Sequence, residues 1–494
     1  MSTERLKKPI FSRLVRNWVS LLGAIIVAAS WFAFVLLLVI DTTAGLQNPY
    51  VGILTYLVAP AFFVTGLMIW VIGWILYRRQ IARTVPGAVP TKFTFDIARS
   101  GDRRLLVVFA LGGAGILLMT ALGSFGSYQA TKSVTFCGQA CHQPMEPQFI
   151  AYQHSPHARV GCTECHIGTG AGNFVKAKFN GLHQVFATLS GDFERPIHLS
   201  GNIVIDQATC EQCHWPERNI GNLERTYTHF LADETNSPFT VRLLLKVGGG
   251  NPSRGPVGGI HWHMNIANKV EYITTDKGEQ VIPWVRLTDA DGVVTTFSDP
   301  DFKDDPGKHR IRRMDCLDCH NRPAHHFPPP NDLVDLALAS GQLDPSIPFV
   351  KSNVVAALIQ PSTKKEEGLA KIAEFLNAKY PNHPKAGVLV SEAQRLYQAN
   401  FFPEMKVDWR AHPNNIGHKE WAGCFRCHDG KHVTADGKRT LKASDCNSCH
   451  TILAQGSGEQ LSQLNPKGHT FFHIDAPNED FSCNNCHTGA FPKE

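Results

Sequence analysis

The chain has 494 residues, with 48 Lys and Arg against 43 Asp and Glu, a formal net charge of +5. That length implies about two to four domains, and so mild a charge excludes the dense basic surface of a nucleic-acid partner. The informative counts are 14 cysteines and 23 histidines.

The N-terminal arm carries Arg5, Lys7, Lys8, Arg13 and Arg16. Residues 18–40 follow without a charge and are long enough to span a bilayer. The run exceeds a signal-peptide core, so it reads as an uncleaved anchor. Residues 51–77 form a second apolar run, with Pro60 as a kink, and residues 105–126 a third, Gly-rich run suited to close helix packing. The loop between the second and third runs carries Arg78, Arg79, Arg83, Lys92, Arg99, Arg103 and Arg104, while 41–50 has no Lys or Arg. By the positive-inside rule the arm and the basic loop are cytoplasmic. Residues 1–126 are thus a membrane domain of three transmembrane helices in contact with lipid, and everything after 126 lies on the outer side of the membrane, which for a chain with the haem-attachment motifs read below is the periplasmic face of the bacterial inner membrane.

All the cysteines lie beyond the membrane half. The first two, in FCGQACH, are Cys137 and Cys141, separated by three residues and followed by His142. The other twelve form six regular Cys-x-x-Cys-His runs: Cys162, Cys165 and His166; Cys210, Cys213 and His214; Cys316, Cys319 and His320; Cys424, Cys427 and His428; Cys446, Cys449 and His450; Cys483, Cys486 and His487. This is the pattern of covalent haem attachment, in which two thiols add to the haem vinyl groups and the adjacent His reaches the iron from one face. Zinc sites built from Cys pairs need two pairs per metal and no fixed His, and a disulfide framework does not demand that His either. In the first run the extra residue fits a small bulge at Gly138 and Ala140. The chain therefore carries seven covalently attached haem c groups. Sixteen further histidines remain as second axial ligands.

Between the third and fourth motifs, about 233–310, alternating runs such as VEYITT and QVIPWVRL flank the turn Asp276-Lys277-Gly278 and predict a small β meander. Residues 332–400 have helical periodicity, as in EEGLAKIAEFLNAKY, and no haem motif. The predicted architecture is three N-terminal transmembrane helices followed by a multihaem cytochrome c domain of short helices and loops, with a small β insert and a helical spacer. Its parts are a membrane domain (1–126), a four-haem domain (127–331), the helical spacer (332–400) and a three-haem C-terminal domain (401–494).

Several features of 120–330 resemble the NapC/NirT family of membrane-anchored quinol dehydrogenases. A transmembrane helix ends just before the first motif, Met145 follows His142, SPHA precedes the second motif, a Lys-rich segment follows it, and the fourth motif reads CLDCHNRPAHH. Family members usually have one anchor helix and four haems. The longer layout here, with its wider first motif, looks like the seven-haem ImcH-like subgroup of inner-membrane cytochromes. The resemblance implies that Met145 can replace His142 on the first iron. It makes His157 the distal ligand of the third haem and His325, with His326 as its neighbour, that of the second. For the fourth, His229, His261 and His263 are open candidates. In the C-terminal cluster, where the family gives no guide, His418, His432 and His473 are the preferred distal histidines, with His412 and His469 as further candidates. The family's quinol pocket, beside the first haem, maps to Lys176, Lys178, His183 and Asp192, which could equally be interfacial groups snorkelling to lipid headgroups.

This reading implies an inner-membrane quinol dehydrogenase. Menaquinol would be its substrate, soluble periplasmic c-type cytochromes its acceptors, and an external metal or other oxidant the final sink. It leaves room for a homo-oligomer or a larger membrane complex. The rival is a multihaem terminal reductase for nitrite or hydroxylamine, or its electron-transfer subunit, but a motif His replaced by Lys, the usual hint of one, is absent. A haem sensor would need far fewer motifs.

Overall fold

The computed structural model describes residues 17–43, 54–84, 98, 100–140, 142–167, 176–177, 181, 184, 186–197, 205, 207–215, 221–249, 258–265, 267–442, 448–474 and 483–490. These fall into two compact units that divide between Ala140 and Cys141.

In the first unit, helices α1 (Trp18–Thr43) and α2 (Ala59–Thr84) pack together along their length. Small residues let the backbones meet: a Cβ on Gly23 would lie 2.4 Å from the Trp70 nitrogen, and one on Gly73 2.4 Å from the Ser20 nitrogen. Asn17 fixes the start of α1, its side-chain oxygen accepting from Val19 N and its amide donating to the Gly73 carbonyl, 3.0 Å away. The chain enters α2 through a π-helical turn, Leu54–Val58, just before Pro60. Among the described residues, Trp18–Val39 and Leu54–Tyr77 are long and apolar enough to cross a membrane. Helix α3 (Ser100–Lys132) contains the third apolar run and meets the π-helical turn, Gly123 lying against Tyr56. It is followed by a second π-helical turn, Phe136–Ala140, which winds one more residue into its ring than an α-turn does. The wide first motif begins in this turn.

The second unit is built on two sheets and a helical block. Strands β1 (Leu223–Phe230) and β2 (Pro238–Leu245) form an antiparallel hairpin, and a strand from far along the chain, His450–Gly456, pairs with β2 on its other edge. The other sheet is a meander, β3 (Lys269–Ile273), β4 (Trp284–Thr288) and β5 (Val294–Ser298), with β6 (Arg312–Arg313) beside β3. Alternation places Val270, Tyr272 and Val285 in its core. The strands therefore extend beyond the 233–310 insert at both ends.

After α4 (His142–Gln153), α5 (Cys162–His166), α6 (Gln207–Glu211) and α7 (Cys316–Cys319), which lie at the Cys-His motifs, helices α8 (Pro330–Ala339), α9 (Val350–Leu358), α10 (Lys365–Lys379) and α11 (Ala386–Asn400) follow the periodicity of 332–400. They enclose the largest apolar core, with Val334, Val350, Val354, Val355, Ile372 and Leu376 fully buried. This block is more than a spacer. Its core includes Trp409 and Ala490 from the C-terminal segment, and Lys365 pairs with Glu146 at 2.8 Å. One buried ion pair, Lys351 with Asp335, joins α9 to α8, and Asp335 also accepts from Phe230 N at 3.0 Å, tying the block to β1.

Leu376→Ala removes a fully buried side chain from this core. It is expected to cost about 2–5 kcal/mol in chemical denaturation followed by far-UV circular dichroism.

Candidate haem sites

Five of the six regular motifs fold on a short helical turn, with the motif His at its end or just beyond. Helices α5 (Cys162–His166), α6 (Gln207–Glu211) and α7 (Cys316–Cys319) carry the second, third and fourth motifs. Asp315 and Asp318 close a reciprocal capping box around α7. Glycine-started and 3₁₀ turns at Gly423–Arg426 and Cys483–Asn485 carry the fifth and seventh. In the sixth motif Cys446 lies outside the described residues, and His450 opens the third strand of the first sheet.

The informative geometry is what faces each motif histidine. Two imidazole nitrogens bound to one metal at about 2 Å each, with each ring centre a little over 1 Å behind its nitrogen, put the ring centres about 6 Å apart. Six such pairs occur. His166 faces His325 at 6.0 Å, and His214 faces His157 at 6.0 Å. His320 faces His261 at 6.3 Å, and His428 faces His263 at 5.9 Å. His450 faces His418 at 6.2 Å, and His487 faces His473 at 5.9 Å. Every regular motif has one partner, and the spacing fits an iron held between two imidazoles.

The partners are fixed by local chemistry. Tyr152 donates to the carbonyls of Ala158 and Val160, at 2.7 and 3.0 Å, and so folds the loop bearing His157 back on helix α4 (His142–Gln153). His157 then donates Nδ1–H to the Pro323 carbonyl at 3.0 Å, and His325 does the same to Gln148 at 3.0 Å. His263 donates Nδ1–H to the Ile260 carbonyl at 2.8 Å. These bonds set the tautomer that leaves Nε2 for a metal. His261 and His263 share the 3₁₀ turn Ile260–Met264, where residues two apart are rotated by about 240°, so the rings diverge to two different motifs. Gly249 (φ 91°) allows this turn to sit on the end of β2, since a Cβ there would come within 2.4 Å of the His261 Cβ. His418 lies flat on Phe425, with centroids 4.3 Å apart.

Burial pushes His166, His261, His320, His418, His428, His450 and His487 below the ordinary histidine value. Burial and the neighbouring His166 lower His325 to about 4. The neutral imidazole is the form that binds a metal.

Other candidates are placed differently. His229 donates to Asp335 at 3.0 Å, and among the described residues its ring stacks on no motif histidine, although it lies near enough to His487 to act on it electrostatically. His229, Asp332 and Asp335 form the one convergent ligand group among the described residues. Lys351 on Asp335 and Lys419 on Asp332 already supply its positive charge, and no cysteine belongs to it, as a zinc site of Cys pairs would require. His432 is buried, with Nδ1 on Asp429 at 2.8 Å and Nε2 on the Ile282 carbonyl at 2.7 Å. Both partners are hydrogen-bond acceptors, so they favour the protonated ring and engage both of its nitrogens. His261, which does face His320, is separable from His263 only through the 3₁₀ turn, a feature its flanking sequence signals weakly.

Around the first motif, Cys137 sits in the π-helical turn Phe136–Ala140, and Met145 is half-buried on α4, one turn beyond His142. Cys141 lies outside the described residues, as do Lys178 and His183; Lys176 and Asp192 are exposed.

Residues 100–203 match the N-terminal region of the NapC/NirT cytochrome c family. The chain is 36% identical to the cytochrome c-type protein ImcH of Geobacter sulfurreducens, over 96% of this chain and 95% of that protein. The chain belongs to the NapC/NirT cytochrome c family. It is thus a membrane-anchored multihaem cytochrome of electron transfer, with covalently bound haem c and iron. No solved structure matches it.

Burial lowers the pKa of His432, but the hydrogen bond and charge of Asp429, the Ile282 carbonyl and the charge of Asp299 together raise it more, so it ends above the ordinary value. Its contribution to stability is therefore full below pH of about 6.5 and is lost as pH rises through the folded-state pKa. Urea denaturation between pH 6 and 9 is expected to show this decline, and His432→Leu to remove it while lowering stability by about 1–3 kcal/mol through the partners left unsatisfied.

Proposed function

We propose that this cytochrome is an inner-membrane quinol dehydrogenase that oxidises menaquinol and delivers the electrons, by way of seven haem c groups, to soluble c-type cytochromes of the periplasm. The observation that supports it is the six histidine pairs about 6 Å apart, one for each regular motif. An iron held on both faces by protein ligands exchanges single electrons with little rearrangement and has no open position for a substrate.

The axial pairs we assign are His166 with His325, His214 with His157, His320 with His261, His428 with His263, His450 with His418 and His487 with His473. Cys446 and Cys449 would attach the sixth haem. Cys137 and Cys141 would attach the first, with Met145 or His142 on its iron. Helix α3 would be a third span, placing the arm and the basic loop in the cytoplasm and the motifs in the periplasm. Quinol oxidation releases protons as well as electrons, so the membrane end needs hydrogen-bond acceptors. Lys176, Lys178, His183 and Asp192 are the groups the sequence provides.

Two experiments test the reading. A menaquinol analogue added anaerobically to the detergent-solubilised protein is expected to reduce the haem α-band rapidly, and Lys178→Ala or His183→Gln to slow it at least tenfold. Full reduction by dithionite but none by the quinol would refute the quinol role. For the axial assignments, His261→Ala and His263→Ala are each expected to convert one haem to high spin in the electron paramagnetic resonance spectrum, with covalent haem content unchanged. His229→Ala is expected to convert none.

A further inference from the structure

The two residues inside the fifth motif point in opposite directions. Phe425 lies on His418, which faces the sixth motif's His450. Arg426 turns back to the fourth. Its Nη2 donates to the carbonyl of Asp318, inside the fourth motif, at 2.5 Å, its Nη1 to the carbonyl of Glu279 at 2.9 Å, and its Nε to Gly423 at 3.0 Å. Asn415 donates to the same Asp318 carbonyl at 3.0 Å.

Arg426 is 9% exposed, and its hydrogen bonds all go to neutral carbonyls. Among the described residues no carboxylate pairs with it. The Asp318 carboxylate is taken up elsewhere, by the Tyr272 hydroxyl, the Asp315 backbone N–H at 2.6 Å and Arg312 at 3.7 Å. A buried guanidinium without a counter-ion is costly, and a guanidinium stays charged under all ordinary conditions. Were the need only to bridge carbonyls, a neutral amide would meet it at less cost. The field of this charge also falls where haem is attached. Arg426 lies between Cys424 and Cys427 in the chain, and the carbonyl it grips belongs to the residue before Cys319.

We propose that Arg426 is a positioning and tuning residue shared by the fourth and fifth haem sites: its fixed positive charge favours the reduced state of both, and its fork holds the two motifs in register. A ferric haem carries one more positive charge than a ferrous one, so a nearby cation disfavours oxidation of both sites together. The inference rests on the axial pairs assigned above.

The test is a redox titration of the full-length, detergent-solubilised protein, followed by absorbance and by electron paramagnetic resonance. The imidazole planes of His263 and His428 are perpendicular, at 90°, while those of His261 and His320 lie at 20°, so the fifth and fourth sites should give distinct low-spin signals. Arg426→Gln is expected to shift two haems about tenfold toward the oxidised form at a fixed potential, about 59 mV each. Arg426→Lys is expected to leave both within about threefold of the wild type. No shift in Arg426→Gln, a shift spread over all the haems, or an equal shift in Arg426→Lys would overturn the role of the charge. If Arg426→Gln fails to mature with its full haem content, Arg426→Lys decides alone: wild-type potentials support the proposal, and a tenfold shift overturns it. Failure of the axial assignment is read separately, as persistence of the perpendicular signal in His263→Ala.

Discussion

The second unit depends on histidines from distant segments meeting in pairs about 6 Å apart. A motif alone fixes only two sulfurs and one face of an iron. The opposite face must be supplied by another stretch of chain, and that demand shapes the loops. Tyr152 staples the loop that carries His157, Gly249 makes room for the turn that carries His261 and His263, and Phe425 supports His418. In each case a small amount of local chemistry aims a ring that the fold has no other reason to hold there.

The pairing also explains how short helices and long connections suffice around the motifs. Ordinary apolar cores are found elsewhere, in the helical block and the β3–β6 sheet. Near the motifs the buried groups are imidazoles whose ordinary charge is suppressed by burial. Rings of this kind are costly to bury without partners, and metal ligation is what would repay that cost. The helical block packs against β1, α4 and the C-terminal segment, and so serves as the rigid frame on which the motif-bearing turns are mounted.

Much of this was legible in the sequence because covalent attachment is a local act. Two cysteines and a histidine must be neighbours in the chain, so all the motifs, including the wide one at Cys137, could be read directly. The apolar runs and the periodicity of 332–400 are local patterns too. The distal partners are not local, and there the sequence is weaker. His157 and His325 could be approached only through family likeness. His261 and His263 sit in one short stretch, and nothing but the rotation of a 3₁₀ turn separates their targets. His432 looks like a ligand, being four residues beyond His428, yet Asp429 and the Ile282 carbonyl claim both of its nitrogens. The strand that completes the first sheet arrives from His450–Gly456, and no alternation in the 223–245 hairpin announces it.

Several motifs that are neighbours in the chain also meet in space. Helix α5 packs on α6 and α6 on α7, which brings the second, third and fourth motifs into a row. The fourth and fifth share the turn of His261 and His263 and the clamp of Arg426 on Asp318. The fifth and sixth are joined by the stack of Phe425 on His418, and His487 of the seventh feels the charge of Lys419, next to His418. At the fifth motif the interior residues reach to both sides, Arg426 to the fourth motif's Asp318 and Phe425 to the His418 that faces the sixth motif's His450.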